Sequence, residues 1–181
     1  MKSLVIFFLD IFDFFYRLNF VNFFKKIKVN KFDIIFDVGA HKGESIVFFN
    51  KYFSVNKIIS FEPSPINFTK LEKFVKNKKF KSEVILENFG LGLREEKKQL
   101  NQAIESSSST FNEINYNSKY YNKKKNLLNF FSNKRYVSKI DTTMSSLKNY
   151  ITINKINKID LLKIDTEGFE FDVLSGLQDE I

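Results

Sequence analysis

An α/β fold built on a parallel, doubly wound sheet is predicted by three observations. The first is an apolar run, Ile34–Phe36, that passes through a glycine-bounded turn, Asp37-Val38-Gly39-Ala40-His41-Lys42-Gly43, into a helical pattern from Glu44 to about Phe53. The second is a repeat of that alternation: KIISF, Lys57–Phe61, leads through Glu62-Pro63-Ser64-Pro65 into a helix whose apolar face carries Phe68, Leu71, Phe74 and Val75. The third is a pair of later apolar runs, EVIL at Glu83–Leu86 and KIDLLKID at Lys158–Asp165, each ending in a turn. Strand periods alternating with helix periods are the pattern of βαβ units.

Size and composition bound the rest. The 181 residues make one domain with a real core and are too few for two comfortable ones. The chain has no cysteine, which excludes disulfides and thiolate metal sites, and its single histidine excludes a histidine-rich zinc site. These absences suit a cytoplasmic protein. The formal charge of +8 allows an anionic partner. However, lysine, asparagine, isoleucine and phenylalanine are abundant throughout, and arginine, the preferred reader of phosphates and guanines, stands only at positions 17, 94 and 135. Nucleic-acid binding is not expected.

The first 29 residues are almost wholly apolar and aromatic. Asp10, Asp13 and Arg17 fall on one stripe of a helix. No apolar run reaches the roughly 18–20 residues that span a bilayer, and no small-residue cleavage site follows the first run. The preferred reading is a helix packed on the domain or on a second copy. Next to it stands an interfacial helix at the inner face of a membrane, with Lys25, Lys26 and Lys28 at the headgroups; a divergent signal anchor is the third.

Further along, Ser64 reads as an N-cap with Pro65 at the first helical position. The stretch from Arg94 to Lys134 reads as an irregular insertion, polar and containing the run Ser106–Thr110, whose hydroxyls suit a flexible loop or a polar pocket. Tyr136–Ile140 alternates like an edge strand, and Asp141 or Thr142 caps a helix over about Met144–Ile153. A last helix bears Phe169, Val173, Leu174 and Leu177. Lys163, inside an apolar strand, needs a partner, and Asp165 or Glu167 is the expected one.

Chemistry gathers at the carboxyl ends of the predicted strands, where open α/β sheets bind ligands. Strand, glycine turn and helix form the unit that takes an adenosine-type cofactor. Gly39 lets the chain turn tightly and be approached closely, and Gly43 removes a side chain where helix amides begin, leaving them to face a negative group. A dinucleotide turn needs glycine two residues after the first, and His41 stands there, which argues against a nicotinamide-dependent oxidoreductase. Glu62 lies about 20 residues beyond the turn, where a carboxylate can accept from both hydroxyls of a ribose. Asn88, after the third strand, is either an adenine reader or a plain turn residue. Asp165 and Glu167 follow the fourth strand. If that strand lies beside the first, Asp165 and Gly39 face one crevice.

FDVGAHKG, FEPSP, NFGLG, SSSST and LLKIDTEGFEFDVLSG together resemble the FkbM-type methyltransferases, from about Phe32 to Gly176. The pairing of FEPSP with KIDTEG is the specific part. The resemblance implies a class I Rossmann-like fold that binds S-adenosylmethionine and methylates hydroxyl groups of sugars, glycans or secondary metabolites. By the family's motif Asp37, Gly39 and Gly43 belong to the cofactor loop and Glu62 holds the ribose; Ala40 within that loop and Asn88 after the third strand are further cofactor-binding candidates by position. Asp165, Glu167 and His41 are the candidate general bases by position, and the two acids are preferred. Two acids could instead hold Mg²⁺, but no third ligand is evident. His41 stands where asparagine is usual, and a domain of this kind normally continues for three more strands, so a sheet truncated after its fourth core strand is expected. The alternative from another class is a non-catalytic remnant that binds a membrane or partner through residues 1–29. The acceptor and the oligomeric state are not legible.

Overall fold

The computed structural model describes residues 18–103, 109–113, 117–118 and 137–177. The Asp10, Asp13 and Arg17 stripe, Ser106–Ser108 and Tyr136 lie outside the described residues. Within them, seven strands and five helices form a mixed α/β fold. Helix α1 (18–26) leads to β1 (Lys31–Val38), α2 (Glu44–Tyr52), β2 (Ser54–Phe61), α3 (Pro65–Lys76), β3 (Glu83–Glu87), β4 (Gly90–Gly92), β5 (Glu96–Ala103), β6 (Val137–Ser146), α4 (Leu147–Ile153), β7 (Leu161–Ile164) and α5 (Glu170–Ser175).

The central sheet is parallel, in the order β3-β2-β1-β7. The last strand therefore pairs with the first, Asp37 opposite Lys163 and Val38 opposite Ile164. The period of two sorts the strand residues between two cores. Ile35 and Ile58 face one way, onto Ile46, Phe49 and Phe53 of the α2 segment and Leu71 of α3. Phe36, Val38, Ile59 and Phe61 face the other, onto Leu147 and Tyr150 of α4, Phe169 and Val173 at α5, and Leu91 and Met144 of the second sheet. Burial on both faces explains why these strands read as continuous apolar runs. Helix α1 packs on the first core. Val21 is buried, and the rings of Phe20 and Phe24 meet Phe48, Phe53 and Phe32 edge-on at 5.5–6.3 Å. No helix among the described residues is long and apolar enough to cross a membrane.

Several boundaries differ from the sequence-based expectation. The region after Arg94 is not irregular throughout, because Glu96–Ala103 forms β5, antiparallel to β6 in a three-stranded sheet of order β4-β6-β5. Its outer half is exposed, so it is built from charged residues whose alternation hides the strand. The run at Val137 is no edge strand. It continues to Ser146 at the centre of that sheet, with Thr142 and Met144 keeping the alternation. The cap of α4 is accordingly Ser146, whose hydroxyl accepts from the Asn149 amide at 3.1 Å, rather than Asp141 or Thr142. The cap predicted for α3 is present, with Ser64 Oγ accepting from the Asn67 amide at 3.2 Å.

Gly39 carries a constraint that comes from protein rather than from ligand. At φ +79°, a Cβ there would sit 2.0 Å from the Asp165 carbonyl oxygen. The loops after β1 and β7 touch backbone to backbone at this point. Gly43, at φ +93° and the N-cap of α2, likewise admits Leu71 and Phe74 of α3. Gly39→Ala is expected to destabilise the fold by about 3 kcal/mol and to lower Tm by about 6–12 °C. A loss below about 1 kcal/mol in thermal unfolding would mean that the two loops separate without cost.

Candidate functional site

A cleft of about 330 Å³ opens at the carboxyl edge of the central sheet. Its floor is the β1 loop, Gly39, Ala40 and His41. One wall comes from Glu62, Pro63 and Asn67 after β2, and the other from Lys163, Asp165, Thr166 and Glu167 at the end of β7. Leu100, Ser109 and Phe111 close it from the second sheet. Phe111 is held there by the ring of Phe169 at 5.4 Å, and Ser109 Oγ accepts from Gln102 Nε2 at 2.8 Å.

Glu62 is the most constrained acid of this cleft. It is 5% exposed at the end of β2. Its Oε2 accepts from the His41 amide at 2.8 Å and its Oε1 from the Ser64 amide at 3.0 Å, with Asn67 Nδ2 at 3.5 Å. Burial pushes the carboxyl above its ordinary range, against the lowering effect of these donors. The hydrogen bonds fix the carboxylate to the glycine loop and to the start of α3, and they leave Oε2 with a lone pair to spare. Nearby Asn67 Oδ1 is buried and accepts no hydrogen bond among the described residues.

The other anchor is Lys163. Its Nζ donates to the Gly39 carbonyl at 2.9 Å and to the Val38 carbonyl at 3.4 Å. It lies 3.0 Å from Asp37 Oδ1, off the line a hydrogen bond needs, and 3.8 Å from Asp165 Oδ2. The close partner is therefore Asp37, across the parallel ladder, with Asp165 second. Asp37 is fully buried and does not line the cleft; with Ser60 Oγ beside it on β2, it offers buried oxygens that accept no hydrogen bond among the described residues.

An acid of its own, Glu44, stands at the start of α2. Glu44 accepts from the Lys42 amide at 3.2 Å and lies 3.3 Å from His41 Nδ1. Burial alone would raise this carboxyl, but the His41 contact and backbone donors outweigh it and bring it down to about 2. Asp165 and Glu167 both border the cleft and both are exposed, as expected from the strand order. Their loop is tied by Glu170, which sequence reasoning missed. Its Oε1 accepts from the Thr166 amide at 3.0 Å, the Thr166 hydroxyl at 3.1 Å and the Gly168 amide at 3.1 Å. An acid just beyond a Thr-Glu-Gly turn at a helix start was the available signal. Asn88 is exposed and does not line the cleft; its Nδ2 donates to the Glu62 carbonyl at 2.8 Å, so it braces the turn that carries Glu62. Among the described residues no group of three or more His, Asp or Glu converges to hold a metal ion.

Removing the Lys163 charge strands the buried Asp37 carboxylate. Lys163→Met is expected to cost about 3–5 kcal/mol in urea unfolding, and adding Asp37→Asn should return part of it. Equal stability of the single variant and the parent chain would show that the ion pair does not hold the two strand ends.

The arrangement is a cleft at strand carboxyl ends, a buried acid after the second strand fixed to a glycine loop, and an acid pair after the strand beside the first. The family model described as the methyltransferase FkbM domain matches residues 37–181, which include all of these residues. No curated protein and no solved structure matches significantly. The match covers most of the chain and every wall of the cleft, and the chain belongs to the FkbM methyltransferase family.

Proposed function

We propose that the chain is an S-adenosylmethionine-dependent O-methyltransferase of Rossmann-like, class I architecture, acting on a hydroxyl of a sugar, a glycan or a secondary metabolite. The observation that carries this reading is Glu62: a buried carboxylate, held by one backbone amide of the glycine loop and one at the start of α3, with acceptor capacity left over and open to the cleft.

The residues present fit that cofactor. Glu62 and the unmatched Asn67 Oδ1 are neighbouring acceptors suited to the two hydroxyls of a ribose. Gly39, Ala40 and His41 offer a close approach at the end of β1, where Gly43 lets α2 start against α3. Asp37 serves from below, holding Lys163 and through it the loop, and Asn88 steadies the Glu62 turn. When bound, S-adenosylmethionine supplies an electrophilic methyl group on a sulfonium. The protein's own task is then to align an acceptor oxygen, the larger demand, and to receive its proton. Asp165 and Glu167 border the cleft from the β7 side and are the candidate proton acceptors. Leu100, Ser109 and Phe111 bound the space left for the acceptor with one apolar face and one hydroxyl.

Glu62→Ala should weaken S-adenosylmethionine binding by about 1–3 kcal/mol, the scale for losing a charged hydrogen-bond partner. In the parent chain the affinity should rise with pH as Glu62 loses its proton, and because burial raises that carboxyl, the rise should lie above the ordinary carboxylate value of 4.5. Glu62→Gln should flatten this profile. Binding measured across pH that is unchanged in both variants would remove Glu62 from the site. Transfer of a radiolabelled methyl group to a panel of hydroxylated acceptors tests the reaction class.

A further inference from the structure

The edge of the domain opposite the cleft is basic, and it is flanked by exposed apolar side chains. Parallel βαβ winding brings the carboxyl ends of α2 and α3 to the amino ends of β1, β2 and β3. Hydrogen bonds tie this edge together: Ser54 donates its amide to the Asn30 carbonyl at 2.9 Å, and Asn50 Oδ1 accepts from the amides of Lys81 at 3.1 Å and Ser82 at 3.2 Å. Two lysine groups are exposed here. Lys25, Lys26 and Lys28 close α1 and enter β1, and Lys78, Lys79 and Lys81 join α3 to β3. One strand separates β1 from β3, so the two strands into which these segments lead are about 10 Å apart at ~4.8 Å per strand. That is close to one Debye length at physiological salt, and the two groups present one field.

The acids of this edge have partners already. Asp33 pairs with Lys31, Glu72 with Lys76, Glu83 with Lys57 and Asp160 with Lys158. Among the described residues none of the six lysines forms an ion pair. Beside them α1 leaves Phe23 and Ile27 57% and 49% exposed, four residues apart and so on one stripe, while Val21, Phe20 and Phe24 hold the helix to the core.

We propose that this face docks the domain on an anionic lipid bilayer. The lysines meet headgroup phosphates, Phe23 and Ile27 enter the interface, and the cleft is turned towards water at the far end of the sheet. The exposed apolar pair distinguishes a bilayer from a nucleic acid, whose backbone offers it nothing to bury against. All six charged groups are lysines rather than the guanidiniums that read phosphates and bases in forks.

The test is flotation of the full chain with vesicles of phosphatidylcholine alone and of phosphatidylcholine containing phosphatidylglycerol. The chain should float with the anionic vesicles only, and raising salt from about 50 mM to about 0.5 M should release it. The triple variant Lys78→Glu, Lys79→Glu, Lys81→Glu should bind at least about tenfold more weakly, and Phe23→Ser should weaken binding without removing the salt dependence. Thermal unfolding checks that the variants are folded, and salt release of the parent chain tests the charge requirement without any variant. Absence of binding by the folded parent chain, equal binding to both vesicle types, or full binding by the triple variant would each overturn the proposal. So would a preference for single-stranded RNA that Phe23→Ser leaves untouched.

Discussion

Everything at the carboxyl edge of this sheet depends on where the Lys163 ammonium sits. It lies between two parallel strands, donating to the carbonyl of the glycine that ends one and facing the buried Asp37 of that same strand. A buried carboxylate without a cation is among the costlier defects a core can hold. The pairing therefore favours the register of β7 against β1 that the ladder bonds make. It also explains Gly39. With the strand ends drawn together, the Asp165 carbonyl occupies the place where a Cβ would be. The consequence for function is positional: the acids after β7 and the glycine loop after β1 border one cleft because one cation joins their strands.

Glu62 performs the complementary task from the other side of β1. Its two oxygens take the amides of His41 and Ser64, one from the loop after β1 and one from the start of α3. The glycine loop is thus held from both flanks, by a cation on β7 and an anion after β2. The second sheet adds the closing wall. It packs on the same core as α4 and α5, through Leu91 and Met144, and carries Leu100 to the rim of the cleft, with Ser109 and Phe111 beside it.

The parallel core was legible in the residues because its strands are buried on both faces and read as apolar runs. The Ser64 cap and the position of Glu62 were legible because caps and strand-end acids depend on local order. The second sheet was not. Glu96–Lys98 is charged because that half of β5 faces water, and a polar strand looks like a loop when its partner, Lys139–Met144, is about 40 residues away. The expected ion pair of Lys163 with Asp165 is present at 3.8 Å, but its nearer partner, Asp37 at 3.0 Å, was not legible for a related reason. Asp37 and Lys163 are 126 residues apart and become neighbours only once β7 lies beside β1. Of the two roles open to Asn88, adenine reader or turn residue, its hydrogen bond to the backbone of Glu62 fits the turn. In each case the missing information was long-range pairing, while the chemistry of the residue itself was read correctly.

The central claim is that this cleft, held between Lys163 and Glu62, is a cofactor site. Titration calorimetry of the purified, folded chain with S-adenosylmethionine and S-adenosylhomocysteine tests it most directly. Saturable binding of both is expected, with Kd in the micromolar range, about −8 kcal/mol. A folded sample that takes up neither ligand would contradict it.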